Sequence, residues 1–285
     1  MTSTVLDAVL CLLLVSAAVV TVTTATPQEP TGEGRAGDVA STLTTTTAAV
    51  NYTLTPRAGT TRVEVPKRAA SYDRTSHGTL AELLARAAVA RIEVGDDRLW
   101  HARDGYSRAV ARAVRGAVRA NHTRITAVWR PYPESSVVGR IVVGSRPPPN
   151  RGVHAATVET PSGFPTTREV SRRAARSNGV DGVADVVADG IVRGLFPPTR
   201  TRIAAGGSSP SAALVSHRYR RVSRRLGITR SPWLADGGVD DANDRLESAL
   251  SDRIARDLRA TNASATSAAE GVRVGRVRIV VRTWP

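Results

Sequence analysis

The sequence predicts an α+β protein, in which an N-terminal transmembrane helix precedes one mixed, mainly antiparallel sheet domain with covering helices. Three observations support this fold class. Residues 5–22 form one apolar run, alternating apolar residues typical of strands occur near both ends of the remaining chain, and segments between them repeat apolar residues at helical spacing. The predicted domains are an anchor or pilin-like leader helix at 1–26, a Thr/Ala/Gly-rich linker at 27–49 and an extracytoplasmic domain at 50–285.

The apolar run at 5–22 is predicted to lie in the membrane, because as a helix it would span about 27 Å, close to the thickness of a hydrocarbon core. Three interpretations remain open: a cleaved secretory signal, a simple anchor, and a pilin-type leader cut before Ser3, which makes Asp7 the fifth mature residue. No Lys or Arg precedes the run, which disfavours a secretory signal and departs from usual pilin leaders. The expected location is the cell membrane, in a single pass, with the C-terminal domain outside the cytoplasm.

The first half of the domain is predicted from local patterns. Residues 27–49 lack a strong apolar period, which is typical of a linker, and ordered structure is expected from residue 50, with strands at 50–55 and 61–65. Thr79 and Glu82 have the spacing of a capping box, which predicts a helix from 79 to about 91 before a strand at 92–94. A stripe of Ala and Val predicts a second helix over 106–120.

The second half begins with three predicted strands, at 124–130, 137–143 and 153–160, separated by prolines that cannot donate to a strand ladder. Helices are predicted at 166–177 and 180–195, with a break at Asn178-Gly179, and then at 209–226 and 241–260. Tyr219 and the leucine stripe from Leu246 to Leu258 are expected to face the core. In the last strand, at 274–283, Val and Ile side chains share one face and Arg side chains the other.

The charge of the chain is strongly positive. Forty basic residues stand against 25 acidic ones, giving a net charge of +15, and every basic residue except Lys67 is arginine. Such an excess of positive charge suggests an acidic partner. The alternative explanation is a GC-rich genome, whose codon usage favours arginine at solvent-exposed basic positions.

Arginines are densest between residues 190 and 235, where nine occur without an acidic residue. Five of them are predicted to fan over one face of the helix at 209–226 and to form a partner-binding surface: Arg218, Arg220, Arg221, Arg224 and Arg225. Acidic protein subunits or surface glycans are the expected partners. Nucleic acid is a weaker prediction, because Tyr219 points to the core and few aromatic side chains are available for stacking on bases.

No motif for catalysis stands out. There is no nucleophile motif, and no histidine pair has the three- or four-residue spacing of a helical metal site. Asp181, Asp185 and Asp189 share one helix face and could bind a cation, although a solvated acidic face, with pairing to arginines elsewhere as one option, is the preferred interpretation. No catalytic residue, metal ligand, cofactor or small-molecule substrate is therefore predicted.

Three Asn-X-Ser/Thr triplets begin at Asn51, Asn121 and Asn262. Such triplets are acceptors for N-glycosylation, and they also arise by chance in a Thr-rich chain. We interpret them as possible glycosylation sites of an exported domain.

Several short sequences are distinctive: STVLD at 3–7, VNY at 50–52, HGTLAELL at 77–84, VWRPYP at 128–133, LFPP at 195–198, HRYR at 217–220 and VRIVVRTW at 277–284. Together, over nearly the whole chain, they resemble an uncharacterised haloarchaeal family of pilin-like, N-terminally membrane-anchored proteins. The resemblance implies an association with pilin-like or type IV-related secretion loci, and it carries no catalytic residue. Proteins of salt-loving archaea usually have excess acid, so the basic charge departs from that pattern and implies docking on acidic neighbours.

The predicted function is that of a non-enzymatic, membrane-anchored surface protein, a minor structural or assembly component of an archaeal pilus-like or secretion system. The helix at 5–22 would pack in the membrane or filament, and the arginine-rich helix would contact acidic partners. Two alternatives remain open. One is a surface nucleic-acid-binding protein, whose binding would fall steeply with salt; the other is an envelope enzyme of unknown class.

Overall fold

The computed structural model describes residues 34–54, 73–95, 97–99, 104–118, 121–206, 211–228 and 238–285. These residues form a mixed α+β arrangement with two antiparallel sheets, one of two strands and one of six. The predicted α+β class and antiparallel pairing are confirmed, whereas the strands divide between two sheets instead of one. The apolar run at 5–22 and the strand predicted at 61–65 lie outside the described residues. Among the described helices, none combines the length and the hydropathy needed to cross a bilayer.

The first described element is helix α1 (Gly34–Thr45), which lies inside the segment predicted as a linker. Its apolar residues Ala36, Val39, Ala40 and Leu43 recur at three- and four-residue spacing and are buried in the core. The linker prediction is corrected for this stretch, because a Thr-rich composition hides a narrow but sufficient apolar stripe. Strand β1 (Thr47–Thr53) follows and pairs with β2 (Asp73–Thr79), a strand that was not predicted.

The capping box predicted at Thr79 is present and begins α2 (Leu80–Val89). The backbone N–H of Glu82 donates to Thr79 Oγ1 at 3.2 Å, and the backbone N–H of Thr79 donates to Glu82 Oε2 at 3.0 Å. These two bonds satisfy amide groups that a helix start otherwise leaves unpaired. Most of α2 is buried, and it packs against the inner face of the larger sheet.

The larger sheet contains β3 (Ile92–Val94), β4 (Asp97–Arg98), β5 (Thr123–Trp129), β6 (Val137–Gly144), β7 (His154–Pro161) and β8 (Arg276–Thr283). Their order across the sheet is β4-β3-β6-β5-β8-β7, and every neighbouring pair is antiparallel. The C-terminal strand β8 therefore inserts between β5 and β7. This insertion places Arg282 of β8 opposite Arg124 of β5, and Arg278 of β8 two strands from Arg140 of β6.

Six further helices are described: α3 (Asp104–Val118), α4 (Arg168–Leu195), α5 (Pro198–Gly206), α6 (Ser211–Arg225), α7 (Gly238–Ala260) and α8 (Ala265–Gly271). Helix α4 bends at Gly179, where φ is 62° and ψ is −144°, so the predicted break is confirmed at a residue that tolerates this conformation. Pro198 follows the end of α4 and begins α5, a helix that was not predicted. Helix α8 was not predicted either.

The core joins the sheet and the helices in one contiguous cluster. Trp129 is fully buried, its indole N–H donates to the carbonyl of Val274 at 2.7 Å, and its ring meets Phe164 edge-on. The leucine stripe of α7 and Tyr219 of α6 are buried as predicted. Gly139 lets α2 approach the sheet closely, because a Cβ there would lie 2.4 Å from the carbonyl oxygen of Ala88.

Candidate functional site

The larger sheet has one buried and one exposed face, because successive side chains of a strand point to opposite sides. Ile125 and Ile279 are buried on the inner face, whereas Val142 on the outer face is 36% exposed. We call the outward-pointing side of β5, β6, β7 and β8, with the two arginines at the strand ends, the arginine face. Its arginines are Arg124, Arg130, Arg140, Arg273, Arg276, Arg278 and Arg282.

The strand register orders the arginine face into rows. Across its centre run four residues that lie opposite one another in successive strands: Val142, Thr126, Val280 and Thr157. On one side of this row, Arg124 is paired with Arg282. On the other side, Arg140 and Arg278 flank Val128. A strip of Val and Thr is thus bordered by guanidinium groups on both sides.

Glu159 is the only acidic residue in β5, β6, β7 and β8. Arg276 donates to one carboxylate oxygen of Glu159 at 3.0 Å, and Arg273 lies 3.9 Å from the other oxygen. Exposed pairs of this kind contribute about 0–1 kcal/mol each. The arginine face therefore carries seven guanidinium groups and one carboxylate. This excess of positive charge gives the face a positive potential that a partner would meet.

A depression of about 550 Å³ opens on the arginine face around Val128. Arg130, Arg140, Arg276 and Arg278 line it. The Nε atom of Arg130 is buried and has no hydrogen-bond partner among the described residues. A buried donor without a partner is costly, and guanidinium groups bind carboxylate or phosphate oxygens in pairs of hydrogen bonds. The geometry is therefore suited to an anionic group.

One wall of the depression is held by α7. Tyr132 lines the depression and is 2% exposed, and its hydroxyl donates to Asp257 Oδ2 at 3.3 Å. Asp257 also accepts from the backbone N–H of Ser136 at 3.3 Å and from the Ser136 hydroxyl. Burial raises the pKa of the Tyr132 hydroxyl far above its usual value of 10, so this group stays protonated and keeps donating.

The five arginines predicted to form one partner-binding surface on α6 lie in different environments. The Arg218 guanidinium lies 4.9 Å from the centre of the Phe196 ring, and Arg221 Nε donates to the carbonyl of Leu99 at 3.2 Å. Helix periodicity predicted one fan, but packing turns these two side chains toward the protein. Three of the five side chains are half-buried, namely Arg218, Arg220 and Arg221. The other two, Arg224 and Arg225, are exposed.

The acidic side of α4 faces α7 and forms ion pairs. Asp181 pairs with Arg259, Asp189 pairs with Arg193 on its own helix, and Asp185 accepts a hydrogen bond from Ser251 at 2.5 Å. Asp181 and Asp185 are exposed, as a solvated acidic face requires, and the optional pairing with arginines occurs at Asp181 and Asp189. Within the described ranges, no group of three or more His, Cys, Asp or Glu side chains could hold a metal ion.

The remaining predicted positions are spread over the molecule. Asn51 on β1, Asn121 before β5 and Asn262 after α7 are all exposed, so each side-chain amide can be reached from solvent. Asn51 Oδ1 accepts a hydrogen bond from Thr75 Oγ1 at 2.8 Å. Ser3 and Asp7 lie outside the described residues.

Sequence reasoning separated the two faces of β8 but did not assemble the arginine face. The sequence analysis did not predict that Arg124, Arg130 and Arg140 belong to this face. The neighbours of their strands are determined by pairing between distant segments of the chain. A signal was available in the alternation of β6, where Arg140 lies between buried Gly139 and Ile141. Arg273 precedes β8 and carried no pattern of its own.

The fold and the site define a class: an α+β protein with an open, arginine-rich sheet face. The chain belongs to a family of unknown function, DUF7284, whose model matches residues 6–284. No curated protein and no solved structure shows significant similarity to the chain.

Proposed function

We propose that this protein is a non-enzymatic, membrane-anchored surface protein that acts as a minor structural or assembly component and docks acidic partners on its arginine face. The observation that carries the proposal is the face itself, where seven arginines surround one carboxylate and a strip of Val and Thr. Guanidinium groups around an apolar strip match a partner surface with acidic residues around apolar ones.

The apolar run at 5–22 supports attachment to a membrane in a single pass, with the C-terminal domain outside the cytoplasm. The exposed triplets at Asn51, Asn121 and Asn262 are consistent with N-glycosylation there. The resemblance to pilin-like haloarchaeal proteins supports an archaeal pilus-like or secretion system as the setting, with a leader cut before Ser3.

Acidic protein subunits fit the arginine face better than nucleic acid does. No aromatic side chain points outward from β5, β6, β7 or β8, so the face lacks the platforms on which bases stack. Its strip of Val and Thr instead offers contact to apolar protein side chains. Acidic surface glycans could share the arginines but would gain little from that strip.

The test is the size of the membrane complex in the protein's own host. The double variant Arg140→Glu, Arg278→Glu reverses charge on the arginine face, and Arg112→Glu, Arg115→Glu makes the same change on exposed residues of α3. Native gels of detergent-solubilised membranes should show loss of the large complex in the first variant and its retention in the second.

Three further outcomes would contradict parts of the proposal. A complex that dissolves after nuclease treatment of washed membranes would identify a nucleic-acid partner. A complex unaffected by reversal of Arg140 and Arg278 would refute docking on the arginine face. A domain found free in the medium would refute the anchor.

A further inference from the structure

Strand β7 forms one edge of the larger sheet. It pairs only with β8, and the order of the strands leaves its other side without a neighbouring strand in the part of the chain that the structure describes. An edge strand has a row of backbone N–H and C=O groups that no ladder uses. Such a row can pair with an extended segment of another chain.

The hydrogen bonding identifies which residues of β7 face this free edge. The backbone N–H of Ser162 donates to the carbonyl of Gly275 at 3.0 Å, in register with the β7–β8 ladder. Along an antiparallel ladder, hydrogen-bonded residue pairs alternate with pairs that are not hydrogen-bonded. Every second residue before Ser162 therefore also directs its backbone N–H and C=O toward β8, and these residues are Thr160, Val158 and Ala156. The groups that point away therefore belong to Ala155, Thr157 and Glu159. Pro161 also falls at an outward position, where it needs no N–H donor.

Proteins usually protect free edges with lysines, prolines or bulges. Strand β7 pairs through eight consecutive residues without a bulge, and between His154 and Val158 it has no Lys, Arg or Pro. Val153, immediately before it, is an exposed apolar side chain. The first part of β7 is thus a regular and unprotected template for strand pairing.

The inner and outer faces of the sheet at β7 favour a partner strand in which apolar and polar side chains alternate. On the inner face, Ala156 and Val158 are only partly buried against the core, so apolar side chains of an added strand would extend the core there. On the outer face, Ala155 and Thr157 are small and exposed, and Arg282 lies directly across from Ala155 on β8.

An added strand would lie about 10 Å from β8, which is two strand spacings. A long arginine can cross the short side chain of Ala155 and meet a carboxylate on that strand. We propose that β7 binds an extended acidic segment of a partner protein by strand addition, with acidic residues on the arginine face and apolar residues toward the core. This inference rests on the proposed function, because it specifies how the acidic partner is held.

A second copy of this chain is a poorer occupant. Pairing two β7 strands across a two-fold axis would bring two arginine faces side by side, and the repulsion between like charges would oppose such a dimer.

The experiment uses the full chain in detergent micelles and a six-residue probe peptide of alternating Glu and Val. Thr157→Pro removes one outward N–H, while Thr157→Ala keeps that N–H and changes only the side chain. We expect the dissociation constant of Thr157→Pro to exceed that of Thr157→Ala about tenfold or more, because only the proline removes the N–H. A peptide methylated at alternate amides should lose affinity in the same way.

Hydrogen exchange provides a second measurement that needs no variant. The amides of Thr157 and Glu159 should become protected when the peptide binds to the unaltered chain. If Thr157→Pro fails to fold, Ala155→Pro changes another outward position, and the exchange result stands by itself.

Three outcomes would overturn the proposal that β7 binds an acidic segment of a partner by strand addition. They are no binding of the peptide to the unaltered chain, equal binding by Thr157→Pro, and a dimer of the chain that Thr157→Pro dissociates. Equal binding by Thr157→Pro together with a loss in Arg282→Glu would refute strand addition but leave docking on the arginine face intact. The membrane-complex test of Arg140 and Arg278 reports on that proposed function separately.

Discussion

The hydroxyl of Tyr219 on α6 donates to the side-chain carbonyl of Asn243 on α7 at 2.7 Å, and both side chains are buried. The Asn243 amide in turn donates to the carbonyl of Phe196 at 3.2 Å, and the Phe196 ring stacks on Tyr219 with 3.9 Å between ring centres. These contacts join the end of α4 to α6 and α7. The arginine-rich helix is thus held by a buried polar pair as well as by its apolar stripe.

The first prediction concerns this pair. Tyr219→Phe removes the donor and leaves the Asn243 carbonyl buried without it, so we expect the free energy of unfolding to fall by about 1–3 kcal/mol. Urea unfolding followed by tryptophan fluorescence measures the loss. A double-mutant cycle with Asn243→Ala should show strong coupling, and additive effects would refute the interaction.

The second prediction concerns the contact between α2 and the sheet. Gly139→Ala would place a Cβ 2.4 Å from the carbonyl oxygen of Ala88, and we expect it to lower the free energy of unfolding. The expected loss is about 1–3 kcal/mol, as in other overpacked cores. Thermal or urea unfolding provides the measurement.

The matched control is Gly116→Ala on the exposed side of α3, where an added Cβ meets nothing within 4 Å. The same chemical change should raise stability there by about 0.5–1 kcal/mol, because alanine favours the helix over glycine. Equal effects at both positions would contradict the close approach at Gly139.

The third prediction concerns the wall of the depression. Asp257→Ala removes the acceptor shared by Tyr132 and Ser136, and we expect a loss of about 1–3 kcal/mol in the free energy of unfolding. Asp252→Ala removes an exposed carboxylate from the same helix and should change stability by less than about 0.5 kcal/mol. If the two variants unfold alike in urea, the role assigned to Asp257 is wrong.

The fourth prediction is a dependence of stability on pH. Burial, followed by the positive charges of Arg221, Arg220 and Arg224, lowers the pKa of His217 below its usual value of 6.5. Between that lowered pKa and 6.5, the unfolded chain binds a proton that the folded chain does not. The contribution of His217 is therefore lost as the pH falls below about 6.5 and is retained above it.

Unfolding free energies at pH values of about 7.5 and about 5.5 test this sign. The unaltered chain should lose more stability over this interval than His217→Gln, which cannot take up the proton. An identical loss in both chains would show that His217 does not titrate with folding.

Local signals in the sequence predicted several elements correctly. The capping box of Thr79 and Glu82 depends on residues three apart, and the break at Gly179 depends on one residue that tolerates positive φ. The stripe of α7 needs only its own periodicity. Helix α1 was missed because threonines surround its four buried residues, and β2 was missed because it buries little apolar surface.

The arginine face could be predicted only in part. Alternation along β8 was enough to separate Arg278 and Arg282 from the buried valines. Their approach to Arg124 and Arg140 depends on β5 lying between β6 and β8, a pairing between segments about 150 residues apart in the chain. The fan on α6 shows the reverse case, where helix periodicity was right but the contacts of Arg218 and Arg221 were not visible locally.

The sequence by itself determined the basic charge, the apolar run at 5–22, and the type and approximate bounds of the elements with strong periods, because these depend on composition and near neighbours. The tertiary structure alone decided which strands became neighbours, which arginines stayed exposed, and that β7 lies at an edge with Thr157 facing outward. Those properties arise from contacts between segments that are distant in the chain. Such contacts stabilise the protein only after folding has brought the segments together, at a cost in chain entropy.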